Sequence, residues 1–327
     1  MYSWKELLEQ VNGEIVRMPF ERKPADLYAP IRYVLSMGGK RIRPVLMLMG
    51  YNLYREDVES IYSQALGIEI YHNYTLLHDD LMDRADMRRG MPTVHKKWND
   101  NAAILSGDSM LVMAYRYMAQ DCPSGKLGDV LRLFTETALE IGEGQQYDID
   151  FEMREDVSEE EYIEMIRLKT SVLLACALKI GALLADAPRQ DAELLYRFGE
   201  NLGLAFQLQD DYLDVYGDPV VFGKKVGGDI LCNKKTYMLI NAFRLAGGDD
   251  RESLREWIGK PEGTYVPEEK IKAVTALYDK IGIRELCDRK IRHYFDEARD
   301  VLGILDLPEE RKAPLWEMAL GLLGRKS

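Results

Sequence analysis

The feature that most constrains this chain is the helical spacing of its apolar residues, which recurs along nearly its whole length. Strand-like alternation is almost absent. The breaks between periodic segments contain glycine or proline and none is a long linker. The sequence therefore predicts one all-α domain over residues 1–327 with its site inside the helical bundle. The predicted helices cover about 3–17, 26–36, 42–55, 57–83, 99–120, 127–150, 159–186, 190–217, 235–246, 250–258, 268–281, 284–303 and 308–324.

Charge and cysteine content exclude several classes of protein. The net charge of −12 argues against binding to nucleic acid and to an anionic membrane surface. The four cysteines are far apart, which predicts reduced and mostly buried thiols rather than a disulfide or zinc framework. The first residues lack the apolar region of a signal peptide, and the most apolar run, Leu173 to Ala185, is too short to span a bilayer. We expect a cytoplasmic protein without an integral membrane segment.

A cluster of carboxylates ends one long predicted helix. Asp79 and Asp83 are four residues apart and fall on one helix face, with Asp80 beside them. Carboxylates that close repel one another, and a hard divalent cation such as Mg²⁺ removes that repulsion. The structural alternative is a solvated acidic patch.

The same pattern appears a second time. Asp210, Asp211 and Asp214 again end an apolar helical run, after Gln207. Two such clusters facing each other would clamp a diphosphate through magnesium, so the repetition favours a metal site over an acidic patch.

Basic residues lie near the first cluster in sequence. Lys40 and Arg43 stand three apart at a predicted helix start, where they either converge on one anion or remain exposed. Arg88 and Arg89 follow the first aspartates and can address two different phosphate groups. The structural alternative for these arginines is a salt bridge to Asp83 or Asp86.

Polar residues interrupt later apolar helices and loops. Gln145 lies on a helix that can face the site, and Lys169 and Thr170 lie within an otherwise apolar helix. Lys169 either serves the site or extends to the surface. A glycine-rich stretch with Lys224 near one end and Lys234 near the other can close over phosphate oxygens, although it is not a P-loop.

The four histidines are too few and too scattered for a zinc site. His72 lies two turns before Asp79 on the same face. It is either a hydrogen-bonded core histidine or a donor to a second diphosphate.

Taken in order, these motifs resemble the trans-isoprenyl diphosphate synthases, also called polyprenyl synthetases. The resemblance covers about residues 38–236 and rests on GGKRIRP, HNYTLLHDDLMD, RRGMPT, GQQYD, LKTS, FQLQDDYLD, FGKKVGGDI and the KKT lysines. It implies an all-α fold around a deep central cavity, a homodimer, and head-to-tail condensation of isopentenyl diphosphate with an allylic diphosphate.

The resemblance also implies roles for individual residues. Asp79 and Asp83, supported by Asp80, hold two Mg²⁺ ions, and Asp210 holds a third with Asp211, Asp214 and Asp229. The allylic diphosphate is bound by Arg88, Lys169 and Lys224, and isopentenyl diphosphate by Lys40, Arg43, His72 and Arg89. Thr170, Gln207 and Lys169 line the place where a carbocation forms, and Gln145 and Lys234 belong to the substrate-binding set. The basic tail found in some members is here only GRKS, at residues 324–327, and its role stays open.

Three other functions fit the motifs less well. A terpene cyclase or squalene-type synthase needs no isopentenyl site, so the set Lys40, Arg43, His72 and Arg89 speaks against it. A non-catalytic synthase subunit would be expected to lose one aspartate cluster. A calcium-binding acidic protein does not explain the basic residues.

Product length is the last expectation. The growing chain is expected to run along the helix that carries the first aspartates. Tyr74 lies about 7.5 Å from Asp79 along the helix axis and Tyr71 about one turn deeper. The resemblance makes Tyr74 the floor of the cavity, whereas its angle on the helix is that of a core aromatic. Thr75 is small and leaves room. These residues predict a C15 to C20 product, with a longer polyprenyl product as the alternative.

Overall fold

The computed structural model describes residues 1–218, 226–261 and 263–324. Helices make up most of this part and strands almost none of it, and the all-α prediction is confirmed. The helices are α1 (Trp4–Arg17), α2 (Ala25–Ser36), α3 (Ile42–Asn52), α4 (Tyr62–Met82), α5 (Val94–Lys97), α6 (Asp100–Ala119), α7 (Ser124–Glu152), α8 (Glu159–Ile166), α9 (Val172–Leu184), α10 (Arg189–Tyr216), α11 (Gly228–Leu231), α12 (Tyr237–Leu245), α13 (Gly248–Gly259), α14 (Pro267–Ile281), α15 (Ile283–Ile304) and α16 (Glu309–Leu323).

Local sequence explains several helix ends. Ser3 caps α1 and Ser158 caps α8, each in a reciprocal capping box with the glutamate three residues later. After α2, Gly38 and Gly39 both adopt positive φ, which ends the helix where the two glycines predicted a break.

The structure differs from the predicted helices in several places. The segment predicted as one helix over 57–83 begins with a 3-10 turn at Val58–Ile61 before α4. The segment predicted over 159–186 is interrupted by a π-helical turn at Arg167–Ser171. Between α4 and α5, Met87–Arg88 (β1) pairs antiparallel with Met91–Pro92 (β2) in a short hairpin. A π turn inserts one residue without removing the apolar pattern on either side, so periodicity does not reveal it.

The chain divides into two compact units. Unit 1 comprises residues 1–135, 176–196 and 307–315. Within it, α4 packs against α3 and α6. Helix α1 contributes Leu7, Val11 and Ile15 to the buried surface, at the four-residue spacing of one helix face.

Unit 2 comprises residues 136–175, 197–306 and 316–327, within the described limits. Its core contains Tyr162 of α8, Leu208 of α10, Met238 of α12 and Val274 of α14, all buried. The expectation of a single domain over the whole chain stays a prediction.

Two of the four cysteines, Cys176 and Cys287, are buried, whereas Cys122 is half-buried and Cys232 is exposed. Among the helices that the structure describes, none has the length and apolar character needed to cross a membrane.

Candidate active site

The first aspartate cluster stands at the end of α4. Asp79 is half-buried, Asp80 is buried and Asp83 is exposed just after the last helical turn. The backbone N–H of Asp83 still donates to the carbonyl of Asp79 at 2.9 Å, which keeps the two side chains one turn apart. The predicted helix-face relation of Asp79 and Asp83 is therefore present in unit 1.

The β1–β2 hairpin brings Arg88 back to this cluster. The Nε of Arg88 lies 2.8 Å from both carboxylate oxygens of Asp80, and its Nη2 lies 3.5 Å from Asp79 Oδ2. Burial raises the pKa of Asp80 and Arg88 opposes that rise. Arg88 thus forms its ion pairs with Asp79 and Asp80, and the alternative prediction of a salt bridge to Asp83 or Asp86 is wrong for this arginine.

Two of the predicted isopentenyl residues, Arg43 and His72, contact each other in unit 1. Nη1 of Arg43 lies 3.2 Å from Nε2 of His72. The Nε of Arg43 is buried and has no hydrogen-bond partner among the described residues. The pKa of Arg43 is lowered to about 10, chiefly by burial; Glu69 opposes this shift and Arg89 adds to it. Burial also holds the pKa of His72 well below its usual range, with Arg43 as the next cause, so His72 is neutral near pH 7.

Arg89 lies over the glycine pair before α3. Its guanidinium donates to the carbonyl of Gly38. Gly39 has a φ of 131°, which favours glycine, and the guanidinium of Arg89 lies against it. Lys40 is exposed at the same turn. The structure thus places Arg43, His72 and Arg89 near one another, and their role as a second anion site stays a prediction.

A buried ion pair behind this turn was missed by the sequence analysis. Arg41 adopts a left-handed backbone conformation, with φ of 47°, immediately before α3. Its Nη1 lies 2.6 Å from Oε1 of Glu69 on α4, and the two side chains are 3% and 2% exposed. Nδ2 of Asn73 donates to the same oxygen at 2.8 Å. This network holds the backbone between Lys40 and Arg43, and the i, i+4 relation of Glu69 and Asn73 on one helix is the part of it that the sequence contains.

The second aspartate cluster lies on α10 in unit 2. Asp211 is buried and accepts hydrogen bonds from Tyr162 Oη and from Gln207 Nε2, the latter at 3.0 Å. Burial raises the pKa of Asp211 to about 7, with repulsion from Asp229 as the next cause and Lys234 opposing the rise. Asp210 and Asp214 are half-buried on the same helix.

Asp229 lies beside Asp214. The backbone N–H of Asp229 donates to Oδ2 of Asp214 at 2.9 Å. Asp229 is the second residue of α11, so this short helix keeps it next to α10.

The π turn presents Lys169 and Thr170 within unit 2. Nζ of Lys169 lies 2.6 Å from Asp148 Oδ2, and the Lys169 side chain is 25% exposed, so its ammonium is held in an ion pair. Hydroxyl Oγ1 of Thr170 donates to Gln207 Oε1 at 3.1 Å. The added residue of a π turn changes which side chains face a neighbouring helix, and such turns are frequent at functional sites.

Helix α7 approaches this turn closely. A Cβ on Gly144 would lie 2.4 Å from the backbone nitrogen of Lys169. Burial opposes ionisation of Asp148, but Lys234 and then Lys169 outweigh it and the pKa of Asp148 is lowered. Gln145 is half-buried on α7. Asp148 and Tyr162 contact the predicted site residues Lys169 and Asp211. Asp148 is part of the GQQYD motif, whereas no motif pointed to Tyr162.

The predicted product-length residues belong to a column of rings in unit 1. The ring centroids of His78 and Tyr74 are 4.8 Å apart, those of Tyr74 and Tyr71 are 5.5 Å apart, and those of Tyr71 and Phe134 are 5.2 Å apart. Tyr71 is buried and Tyr74 half-buried. Thr75 is not part of the column, and its hydroxyl donates to the carbonyl of His72 at 2.8 Å. The column begins beside Asp79, and Phe134 was missed because it lies on α7.

The family model described as polyprenyl synthetase matches residues 24–278. The chain belongs to this family. A geranylgeranyl diphosphate synthase of Methanosarcina mazei is 37% identical over 306 residues, 93% of this chain and 91% of the relative. A (2E,6E)-farnesyl diphosphate synthase of Mycobacterium tuberculosis is 35% identical, covering 88% of this chain and 80% of the relative. A crystal structure of geranylgeranyl pyrophosphate synthase is 43% identical and covers both chains fully with a TM-score of 0.94.

These matches confirm the predicted polyprenyl synthetase family. They also confirm the prediction of an enzyme that transfers prenyl groups. Within the described residues, no three histidine, cysteine, aspartate or glutamate side chains are arranged around a metal position. The donor chemistry nevertheless fits Mg²⁺, because both clusters offer carboxylate oxygens and Mg²⁺ in phosphate-transfer sites takes one or two carboxylates together with water and substrate phosphate. Lys224 and residues 325–327 of the tail lie outside the described residues.

Proposed function

We propose that this polyprenyl synthetase condenses isopentenyl diphosphate head-to-tail with an allylic diphosphate and releases pyrophosphate. The observation that carries the proposal is the buried Nε of Arg43, which has no hydrogen-bond partner in the described chain and lies beside His72 and Arg89. A buried guanidinium that retains an unused donor favours an anion, and a diphosphate supplies the acceptor oxygens. A cyclase, which takes one diphosphate, has no use for this second anion site.

The neutral state of His72 defines its part in binding. Arg43 can only donate a hydrogen bond, so Nε2 of His72 accepts it and the proton lies on Nδ1. A neutral imidazole then orients Arg43 and adds one donor without placing a further positive charge among the guanidinium groups. Lys40 and Arg89 complete the proposed isopentenyl diphosphate site.

Magnesium is the proposed cofactor, with three ions per active site. Asp79 and Asp83 would hold two of them with support from Asp80, and Asp210 a third with help from Asp211, Asp214 and Asp229. When bound, the ions supply positive charge that stabilises a departing diphosphate. Burial and then repulsion from Asp229 raise the pKa of Asp211, and bound cations would favour the charged form of this carboxyl group.

The remaining residues bind and orient the allylic substrate. Arg88, Lys169 and Lys224 bind its diphosphate, and we include Lys234 because it stabilises the charged form of Asp148. The hydrogen-bonded Thr170 and Gln207 offer neutral dipoles to a developing carbocation. Neutral dipoles suit this step because a carboxylate there would capture the cation. Gln145 completes the proposed substrate-binding set.

The proposed product is all-trans and has 15 to 20 carbons. The ring column formed by His78, Tyr74, Tyr71 and Phe134 supports this length. Its first tyrosine, Tyr74, lies within about two helical turns of Asp79 and would limit the length of the growing chain. The names of the relatives, geranylgeranyl and farnesyl diphosphate synthases, agree with the same range. Longer products are the second candidate and require the column to open.

We further propose a cytoplasmic homodimer. Helix α6 exposes Ile104, Leu105 and Val112 at 44%, 59% and 69%, a set of large apolar side chains that a second copy would cover. Light scattering after gel filtration measures the mass directly, and a monomer at micromolar concentration would contradict the dimer.

The test of the function uses the purified enzyme with Mg²⁺, labelled isopentenyl diphosphate and one allylic starter at a time. Dimethylallyl, geranyl and farnesyl diphosphate are compared, and the dephosphorylated products are separated by chromatography. We expect labelled C15 or C20 alcohols. Absence of label in any prenyl product would refute the proposal, and chains beyond C25 would replace the length assignment.

A further inference from the structure

Lys270 on α14 is fully buried, with 0% of its surface exposed. Lysine is among the residues least often found in that state. Among the described residues, its ammonium contacts uncharged acceptors: Oδ1 of Asn233 at 2.6 Å, the carbonyl of Leu231 at 3.4 Å and the hydroxyl of Tyr265 at 3.4 Å. A buried cation held by neutral acceptors is costly, so its retention calls for a specific task.

Two of the three acceptors belong to one short segment. Leu231 is the last residue of α11, and Asn233 follows it with a left-handed φ of 54°. Such a conformation is unfavourable for residues other than glycine, although asparagine tolerates it best. Lys270 thus binds both the end of α11 and the residue at which the chain turns.

The side-chain amide of Asn233 is fixed at both ends. Its oxygen accepts from Lys270, and its Nδ2 donates to the carbonyl of Ile258 at 3.0 Å. The turn therefore has one orientation, set by α14 on one side and the end of α13 on the other.

Lys234 comes directly after this turn. Its backbone N–H donates to the carbonyl of Asp229 at 2.9 Å, and its carbonyl accepts from the N–H of Thr236 at 2.8 Å. Asp229 in turn donates its backbone N–H to Oδ2 of Asp214 at 2.9 Å, so the backbone of Lys234 is bound to the second aspartate cluster, and its side chain is assigned to the proposed allylic diphosphate site. A change in the turn at Asn233 would displace Lys234.

We propose that Lys270 is a positioning residue for substrate binding: through Asn233 and the end of α11, it holds Lys234 in the orientation that binds the allylic diphosphate. This inference rests on the proposed function. Lys270 contacts no substrate and acts only through the segment 231–234.

The test compares four variants in steady-state kinetics with both substrates. Lys270→Met keeps the length of the side chain and removes the ammonium, Asn233→Ala removes its acceptor, and the double variant removes both. Lys272→Met, at an exposed position on the same helix, is the matched control. Circular dichroism and gel filtration establish whether each variant is folded. If Lys270→Met does not fold, the kinetics of Asn233→Ala decide the test.

We expect Lys270→Met and Asn233→Ala each to raise KM for the allylic diphosphate about tenfold, as for loss of one hydrogen bond to a charged group. The KM for isopentenyl diphosphate should stay within twofold of the wild-type value, and the double variant should be no worse than the worse single one. Lys272→Met should behave as the wild type.

Equal changes in both KM values, a loss of kcat alone, or additive effects in the double variant would overturn the proposal, because a merely structural lysine gives those results. The wild-type rate in the same assay tests the proposed function separately. An active wild type with an unaffected Lys270→Met variant would reject the positioning role and leave the function standing.

Discussion

Replacing Glu69 by glutamine removes one charge from the buried pair with Arg41 while preserving shape. Oε1 of Glu69 accepts from both Arg41 and Asn73, whereas Oε2 is buried without a partner in the described chain. A glutamine can keep its oxygen on Arg41 and place its amide group where Oε2 was. The substitution therefore isolates the loss of charge.

The size of the effect follows from burial. Both side chains are at most 3% exposed, so Arg41 would remain as a buried cation without a counter-charge. Removing one partner of such a pair costs about 3–5 kcal/mol of unfolding free energy. The matched control is Glu14→Gln, whose partner Arg17 is 75% exposed, and we expect a cost below about 0.5 kcal/mol there.

The assay is urea unfolding followed by far-ultraviolet circular dichroism. The double variant Arg41→Gln/Glu69→Gln leaves no unpaired charge, so it should be at least about 2 kcal/mol more stable than the sum of the single variants implies. If Glu69→Gln costs no more than Glu14→Gln, or if the two single effects simply add, the pair does not stabilise the turn before α3 as we argue.

Three further outcomes are expected. EDTA should abolish turnover, and Asp79→Ala should lower kcat by about 10²-fold with Mg²⁺ present, because it removes part of a preorganised charge cluster; full activity in EDTA would contradict this. Tyr74→Ala should lengthen the product on chromatography and the added Tyr71→Ala should lengthen it further, whereas an unchanged product from both would locate the floor elsewhere. Arg89→Ala should raise KM mainly for isopentenyl diphosphate and Arg88→Ala mainly for the allylic substrate, and equal effects on both substrates would show that the two sites are not separate.

Much of the candidate site could be predicted because its residues lie in short motifs. The relation of Asp79 to Asp83 follows from helix geometry, and the neighbourhood of Lys40, Arg43 and Arg89 follows from the order of motifs that the family shares. The side chains that form ion pairs and hydrogen bonds with these aspartates could not be predicted. Arg88 pairs with Asp80 because the short β1–β2 hairpin reverses the direction of the chain. The sequence predicted a break in this region but not the strand pairing.

The sequence by itself determined the all-α class and the family, because helical spacing and motif order are properties of the linear chain. Only the tertiary structure decided the pairings between distant residues: Arg41 with Glu69 across 28 positions, Lys270 with Asn233 across 37, and Tyr162 with Asp211 across 49. Such pairings depend on which helices pack together and on how each is rotated. The π turn at Lys169 belongs with them, since one extra residue in a helix changes the direction of a side chain but leaves the apolar pattern unchanged.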